Sequence, residues 1–444
     1  MTPPPVAGAP RRALLEDLYA TAVKAAAPGP AVRRALADLD QVTRPVWLFA
    51  LGKASVAMAE AAVAWLAQHR REPAGGLIVS PASAASPHPA LLLVVGDHPE
   101  PGPGSLAAAS ALGDAAARVR PDDEAWVLLS GGATSLLGAP IDGITPSQLT
   151  ELYTLLLGSG LDITAMNRIR KRFSRWGGGR LAAALAPAHV RVFVVSDVIG
   201  DDLASIASGP CVPDPTSAAQ VRAALESGGL WARLPAPLRD RVAAVERGEA
   251  PETPKPGDPV FARVETRLIA SNRLALEAAA ARCSEIGLVP RVMEPALSGE
   301  AADTGRRIAS TVLSYCQHSG SQRETAATCL IWGGETTVTL GTAPAGRGGR
   351  SQELALAAAE RLATGPAPAS PIILAAGTDG RDGPTDAAGA IVDPGTWPAI
   401  RRSGRDPARD LATHDAYPAL DAARALLRPG LSGTNVMDVV VALP

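Results

Sequence analysis

Two regions of this chain concentrate residue types that handle anions and metals. The denser one lies between residues 331 and 393. There an apolar run ends in Gly333-Gly334-Glu335, a carboxylate at a turn. A glycine loop with two guanidiniums, Gly346-Arg347-Gly348-Gly349-Arg350-Ser351, then opens into a helical pattern over 352–363. A third run, 371–376, ends in Gly377-Thr378-Asp379-Gly380-Arg381-Asp382, with Asp386 close behind. Glycines at a helix start expose backbone N–H groups, and the helix dipole favours an anion there. Arg347 and Arg350 add forked donors suited to phosphate or carboxylate. Carboxylates just past an apolar strand stand where open α/β sheets bind ligands, and hard oxygens suit Mg²⁺. The stretch therefore predicts an anion site facing an acidic site.

The second region lies in the first half. The apolar run 45–51 ends in Gly52-Lys53-Ala54-Ser55 and meets a helical pattern over 56–69. A lysine at a helix start is disfavoured by the dipole, so Lys53 calls for an anionic partner. The spacing is not that of a P-loop, because Ala54 follows the lysine and Trp47 holds the place of the first glycine. The run 125–129 opens into Ser130-Gly131-Gly132-Ala133-Thr134-Ser135. Small residues let a phosphate approach the backbone, and hydroxyls add donors. Ser130, Gly131, Gly132, Thr134 and Ser135 are thus candidates for binding a phosphorylated cofactor. The run 190–195 ends in Ser196-Asp197, where a carboxylate could hold Mg²⁺ or take a proton from a hydroxyl. His98, in Gly96-Asp97-His98-Pro99, is a second-tier candidate.

The elements that must position these groups alternate between strand and helix patterns along the whole chain, which argues for α/β layers with largely parallel sheets. With 444 residues and 47% hydrophobic content there is material for two to three domains. Aromatics are only 3% and the net charge is −2, which argues against nucleic-acid and anionic-membrane partners. Four cysteines without metal-type spacing predict reduced thiols. No leader-like or spanning apolar run stands out, so a cytoplasmic, soluble protein is expected. The proline-rich segment 251–259 reads as a semi-rigid linker. Expected domains are 1–250, Rossmann-like with a parallel sheet, and 260–444, a second α/β domain, with the active site in the cleft between them.

Several runs resemble one family. Gly333-Gly334-Glu335-Thr336-Thr337-Val338, the run 346–355, the runs 377–380 and 382–390, and Gly433-Thr434-Asn435-Val436 are similar to the MOFRL domain of class II glycerate 2-kinases, here about 326–443. Gly52-Lys53-Ala54-Ser55, the Gly-rich turn at 130–135 and Ser196-Asp197-Val198-Ile199-Gly200-Asp201-Asp202 extend the likeness to nearly the whole chain. The resemblance implies ATP- and Mg²⁺-dependent phosphorylation of D-glycerate to 2-phosphoglycerate. It makes Lys53, Arg350 and Asp197 catalytic candidates, and Lys53, Arg350 and Asp379 substrate contacts. Gly333, Gly334 and Glu335 join the nucleotide-binding set, and Asp197 and Asp379 the metal set. Two alternatives stay open, an NAD(P)H-dependent hydroxypyruvate reductase and a non-catalytic sugar-acid binder. The first is weakened because the dinucleotide glycine pattern at 346–351 has serine in its sixth place. The oligomeric state is left open, a homodimer included.

Overall fold

Six runs between residues 46 and 270 form strands: β1 Val46–Leu51, β2 Pro73–Ser80, β3 Leu91–Val95, β4 Glu124–Leu129, β5 His189–Val195 and β6 Val264–Ala270. A computed structural model describes residues 11–39, 42–161, 163–318, 327–341, 344–365 and 370–444, so the proline-rich start, 1–10, lies outside the described residues. The strands lie in the order β3-β2-β1-β4-β5-β6. The pairs β2/β3, β1/β2, β1/β4 and β4/β5 are parallel. This is the order of a doubly wound Rossmann sheet, which reverses direction between β1 and β4. Both central strands are buried at every position, as continuous apolar runs flanked by helices should be.

The chain divides into two units, Pro28–Ile269 and Met1–Ala27 together with Ala270–Pro444. The expected boundaries, 1–250 and 260–444, are corrected at both ends. The segment 251–259 is not a free linker but part of the first unit. Lys255 Nζ donates to the carbonyls of Asp214 and Thr216 at 3.0 and 2.6 Å, and Asp214 N donates to the Pro254 carbonyl at 2.9 Å. The first helix, Arg11–Ala25, belongs to the second unit. It buries Leu15, Leu18, Tyr19 and Ala22 there. Asp17 pairs with Arg282 at 2.8 Å, and Arg11 Nη2 donates to the Leu443 carbonyl at 2.7 Å.

The second unit is built on β7 Val289–Val292, β8 Thr328–Gly334, β9 Ile372–Gly377, β10 Gly389–Val392, β11 Leu426–Leu427 and β12 Asp438–Leu443, in the order β11-β10-β9-β12-β8-β7. Only β7/β8 is parallel, and the other pairs run antiparallel. The expectation of largely parallel sheets therefore fails here. β9 and β10 are joined by residues 378–388 without a crossover helix, and β12 enters between β8 and β9 against both. Among the described residues, no helix is long and apolar enough to cross a membrane.

The helix Arg350–Leu362 is the spine of this unit, buried at every position from Ser351 to Ala359. Close packing is possible because a Cβ on Gly305, in the helix Ala301–His318, would lie 2.1 Å from the Leu354 carbonyl oxygen. The first N–H groups of a helix need acceptors. Here Asp382 supplies them, its Oδ1 accepting from Ser351 N at 3.2 Å and Oδ2 from Gln352 N at 2.8 Å. Gln352 Nε2 returns a bond to the Asp382 carbonyl at 3.1 Å.

Burial pushes the Asp382 carboxyl up to about 7, against the pull of the Gln352 and Ser351 N–H groups and with help from Asp438. The unfolded chain releases this proton near pH ~4. The stability it contributes is therefore full below that pH and is lost as pH rises through about 7. Asp382→Asn keeps an acceptor and cannot titrate. Melting wild type and variant across this window should show the wild type losing ground to the variant as pH rises. A difference that stays constant with pH would show that Asp382 does not titrate there.

Candidate active site

The carboxyl ends of β1 and β4, at the reversal point of the first sheet, are tied into one piece. Ser130 N donates to the Leu51 carbonyl at 3.0 Å, and Lys53 N to the Gly131 carbonyl at 2.9 Å. Ala54 N donates to Ser130 Oγ at 3.0 Å. Gly52 adopts φ +126°, and a Cβ there would lie 2.3 Å from Ser130 Oγ, so no side chain fits. The turn lifts Lys53, whose side chain is exposed, above the sheet edge and starts the helix Ser55–Gln68.

Asp197 follows β5, and its Oδ2 lies 1.9 Å from where a Cβ on Gly131 would stand. The carboxylate therefore rests directly against the glycine backbone. From the matching point on Gly132, the His98 ring is 3.1 Å away and Lys53 Cε 3.2 Å. Lys53, His98 and Asp197 thus converge on Gly131-Gly132. Burial raises the Asp197 carboxyl, and its own N–H, Lys53 and His98 pull it part of the way back. Burial and the Lys53 charge hold the His98 imidazole below its ordinary value, against Asp197. That keeps the ring neutral near pH 7 and able to accept a proton.

The hydroxyls assigned to a phosphate cradle have other work. Ser130 Oγ builds the Lys53 turn. Ser135 Oγ donates to the Gly132 carbonyl at 3.1 Å, and Thr134 Oγ1 bonds Ser208 Oγ at 3.1 Å. What the turn offers a ligand is glycine backbone. Of the neighbouring acids, Asp202 accepts from Ala204 N and Ser205 Oγ at 3.1 and 2.6 Å and so shapes its own turn.

The second unit gathers the remaining predicted residues. Arg350, in the first turn of its helix, makes a two-pronged pair with Asp438, Nε to Oδ2 at 2.7 Å and Nη2 to Oδ1 at 3.0 Å. Its Nη1 lies 2.6 Å from Glu335 Oε1. Burial lowers the guanidinium's proton affinity, but Asp438, Glu335 and Asp382 more than offset this and raise it overall. Arg350 is therefore not the free cation that the sequence suggested. Asp379 follows β9, with Oδ1 accepting from Arg381 N at 3.0 Å. A Cβ on Gly377 would stand 3.1 Å from that oxygen and 3.5 Å from Asp438 Oδ1, which brings both acids to one backbone position.

Three readings change. The N–H groups at the start of the helix Arg350–Leu362 receive the protein's own carboxylate, Asp382, rather than a ligand anion. Arg347 lies over the Tyr417 ring at 4.1 Å, and its N–H donates to Asp415. On the side where a Cβ would stand, Gly333 and Gly334 face protein. A Cβ on Gly333 would lie 1.8 Å from Asn272 Oδ1, and one on Gly334 2.5 Å from the Leu297 backbone. The bare backbone lets Asn272 reach the Val436 and Asp438 carbonyls at 2.8 and 3.0 Å.

Two residues were missed. Asp438 is 4% exposed, and burial raises its carboxyl against the pull of Arg350. Its signal in the sequence is an acid opening the apolar run that forms β12. Tyr19 donates from its OH to the Gly377 carbonyl at 2.7 Å, 358 residues away. Burial, Asp379 and Asp438 push its phenol up. Nothing local in sequence marks it.

Among the described residues, no group of three or more His, Cys, Asp or Glu side chains could hold a metal ion by itself. The Asp197 carboxylate nonetheless fits a shared Mg²⁺. It is half-buried, and its own N–H, Lys53 and His98 favour its charged form. Mg²⁺ is commonly held by one or two carboxylates with phosphates completing the shell.

Residues 14–243 match a domain of unknown function, DUF4147, and residues 328–438 match the MOFRL family. The glycerate 2-kinase of Pyrococcus horikoshii is 35% identical, over 96% of each chain. A protein of Agrobacterium vitis bearing a hydroxypyruvate reductase name is 38% identical, over 96% of this chain and 93% of its own. The crystal structure of a glycerate kinase from Thermotoga maritima superposes with a TM-score of 0.85 at 33% identity, covering 98% of this chain and 99% of that one. The Lys53 turn and Asp197 fall within the DUF4147 match, and Arg350 with its Asp438 and Glu335 partners within the MOFRL match, and the chain is a member of the class II glycerate kinase family.

Proposed function

We propose that this protein phosphorylates D-glycerate at its 2-hydroxyl, using ATP with Mg²⁺ and releasing 2-phosphoglycerate and ADP. The observation that carries this reading is the convergence of Lys53, His98 and Asp197 on the bare backbone of Gly131-Gly132 at the reversal point of a Rossmann sheet. Phosphoryl transfer demands positioning and charge neutralisation more than covalent chemistry. The Lys53 ammonium neutralises charge on the transferring group. Asp197, made more basic by burial, orients the attacking hydroxyl and accepts its proton or contributes an oxygen to Mg²⁺. Asp197 or Asp379 would hold Mg²⁺ together with the phosphates, and the ion would add charge neutralisation there. Arg350 has five N–H donors, and Asp438 and Glu335 engage three nitrogens without exhausting them. The remainder can meet the glycerate carboxylate, with Asp438 fixing the plane of the fork.

The reductase alternative loses support at the place where a Rossmann sheet carries its dinucleotide fingerprint. The turn after β1 reads Gly52-Lys53-Ala54-Ser55-Val56-Ala57, one glycine with a lysine beside it, not the three-glycine pattern that lets a pyrophosphate settle on the helix. With D-glycerate, ATP and Mg²⁺ the purified protein should release ADP, and with hydroxypyruvate it should leave NADH unoxidised. NADH loss without ADP formation would reverse the assignment.

Lys53→Ala should lower turnover on the order of 10²–10³-fold, as loss of one charge-stabilising group does in a water-poor site. Arg350→Ala should also lower turnover. If the two cations serve one transition state, the double variant should be little worse than either single one. Arg350→Lys should not restore activity, because lysine cannot form the two-pronged pair with Asp438. Fully additive losses would assign the residues to separate steps, and wild-type turnover in a folded single variant would remove that residue from the site.

A further inference from the structure

A cavity of about 210 Å³ lies beside the His98 loop in the first unit. Its walls come from Pro99 and Pro101 of that loop, Tyr153 and Leu156 of the helix Pro146–Leu157, and Met166 and Arg170 of the helix Ile163–Phe173. Leu157, 78% exposed, also lines it and marks an open side. Pockets that hold a whole small-molecule ligand run to roughly 300–1,000 Å³. This one is sized for part of a ligand, a ring system with its remainder outside.

The polar groups narrow the chemistry. The Arg170 guanidinium lies 4.3 Å over the Tyr153 ring, a flat cation already stacked on one face. Its Nε is buried against the protein and does not open to the cavity. Thr150 and Thr154 donate their hydroxyl protons back into their own helix, to the carbonyls of Pro146 and Thr150, each at 3.1 Å. Their lone pairs stay available to a donor. The Glu100 carboxylate also lines the cavity, and apolar walls, a stacking plate, two hydroxyl acceptors and this carboxylate are complementary to an aminopurine, which offers a π-face and an amine donor.

Position supports the same occupant. The His98 ring touches the space over Gly132, and Pro101 packs 2.5 Å from where a Cβ on Gly138 would stand. The loop therefore leads from the Gly131-Gly132 turn to the cavity wall. Three residues of chain reach at most ~11 Å, within the span of one extended nucleotide.

We infer that this cavity receives the purine base of a nucleoside di- or triphosphate whose phosphates lie at the Gly131-Gly132 turn. The inference rests on the kinase reading for the identity of the donor, but the base site is testable without turnover. Thr154 is exposed on its helix, so Thr154→Trp fills the cavity mouth without disturbing the core, and Thr150→Trp does the same from one turn earlier. ADP binding to the full chain is measured by titration calorimetry, with CDP and tripolyphosphate alongside and folding checked by circular dichroism. Wild type should bind ADP more tightly than CDP. The tryptophan variants should bind ADP at least tenfold more weakly, lose the preference over CDP, and keep wild-type affinity for tripolyphosphate. Equal ADP affinity in wild type and either folded variant, an equal loss for tripolyphosphate, or no ADP binding by wild type would overturn the base site. ADP binding with the expected losses, but no turnover of glycerate by wild type, would uphold the base site and sink the kinase reading alone.

Discussion

The pairing of β1 with β4 sets Leu51 opposite Leu129, so two parallel strands leave the sheet at the same level. Their exits are then laced together by the bonds of Ser130, Lys53 and Ala54. The lacing works only if nothing projects from Gly52 or Gly131, where a side chain would strike Ser130 or Asp197. A lysine stem is flexible, and the backbone at its root determines where its ammonium can reach. That root is held by the fold, and Asp197 and His98 arrive from β5 and β3 on either side. The chemistry of the first unit depends on this one junction, and its tolerance to side-chain volume is nearly zero.

The second unit solves a different problem. It concentrates carboxylates near a helix start and then uses most of them itself. Asp382 caps the helix, and Asp438 clamps Arg350. Removing Arg350 would leave the buried Asp438 carboxylate uncompensated, and removing Asp438 would leave the half-buried guanidinium with Glu335 as its remaining ion-pair partner among the described residues. The clamp also limits the guanidinium to one plane, which is how a fork donor becomes selective for a planar carboxylate or a phosphoryl edge. Tyr19, from the far end of the chain, holds the Gly377 carbonyl beside the same acids.

The domain boundary follows from buried charge. Lys171 pairs with Asp214 at 3.2 Å with both side chains almost fully covered, and Arg172 pairs with Glu252. Thr253 donates to Asp214 at 3.0 Å, and Lys255 caps the surrounding carbonyls. Proline-rich composition at 251–259 suggested a spacer, but each of these residues has a partner that cannot be given up to water without leaving another charge buried. The segment is therefore structural.

From sequence alone one could read the alternation of strand and helix, the apolar strands of the first unit within about two residues of their ends, the candidates Lys53, Asp197 and Arg350, and the resemblance that names the family. These are properties of local pattern, in which periodicity of 2 or 3.6 and a glycine beside a charged residue carry the information. The partners were not readable. That Ser130 serves a turn, that Gly333 and Gly334 face Asn272 and Leu297, that Asp382 fills the helix start and that Asp438 and Tyr19 join Arg350 and Asp379 all depend on contacts between distant segments. The mixed direction of the second sheet is of the same kind, because strand direction is decided by which neighbour a strand finds, not by its own residues. Local chemistry chose the candidate groups; tertiary structure decided which of them remain available to a substrate, because each proton or lone pair spent on a partner within the protein is one fewer for a ligand.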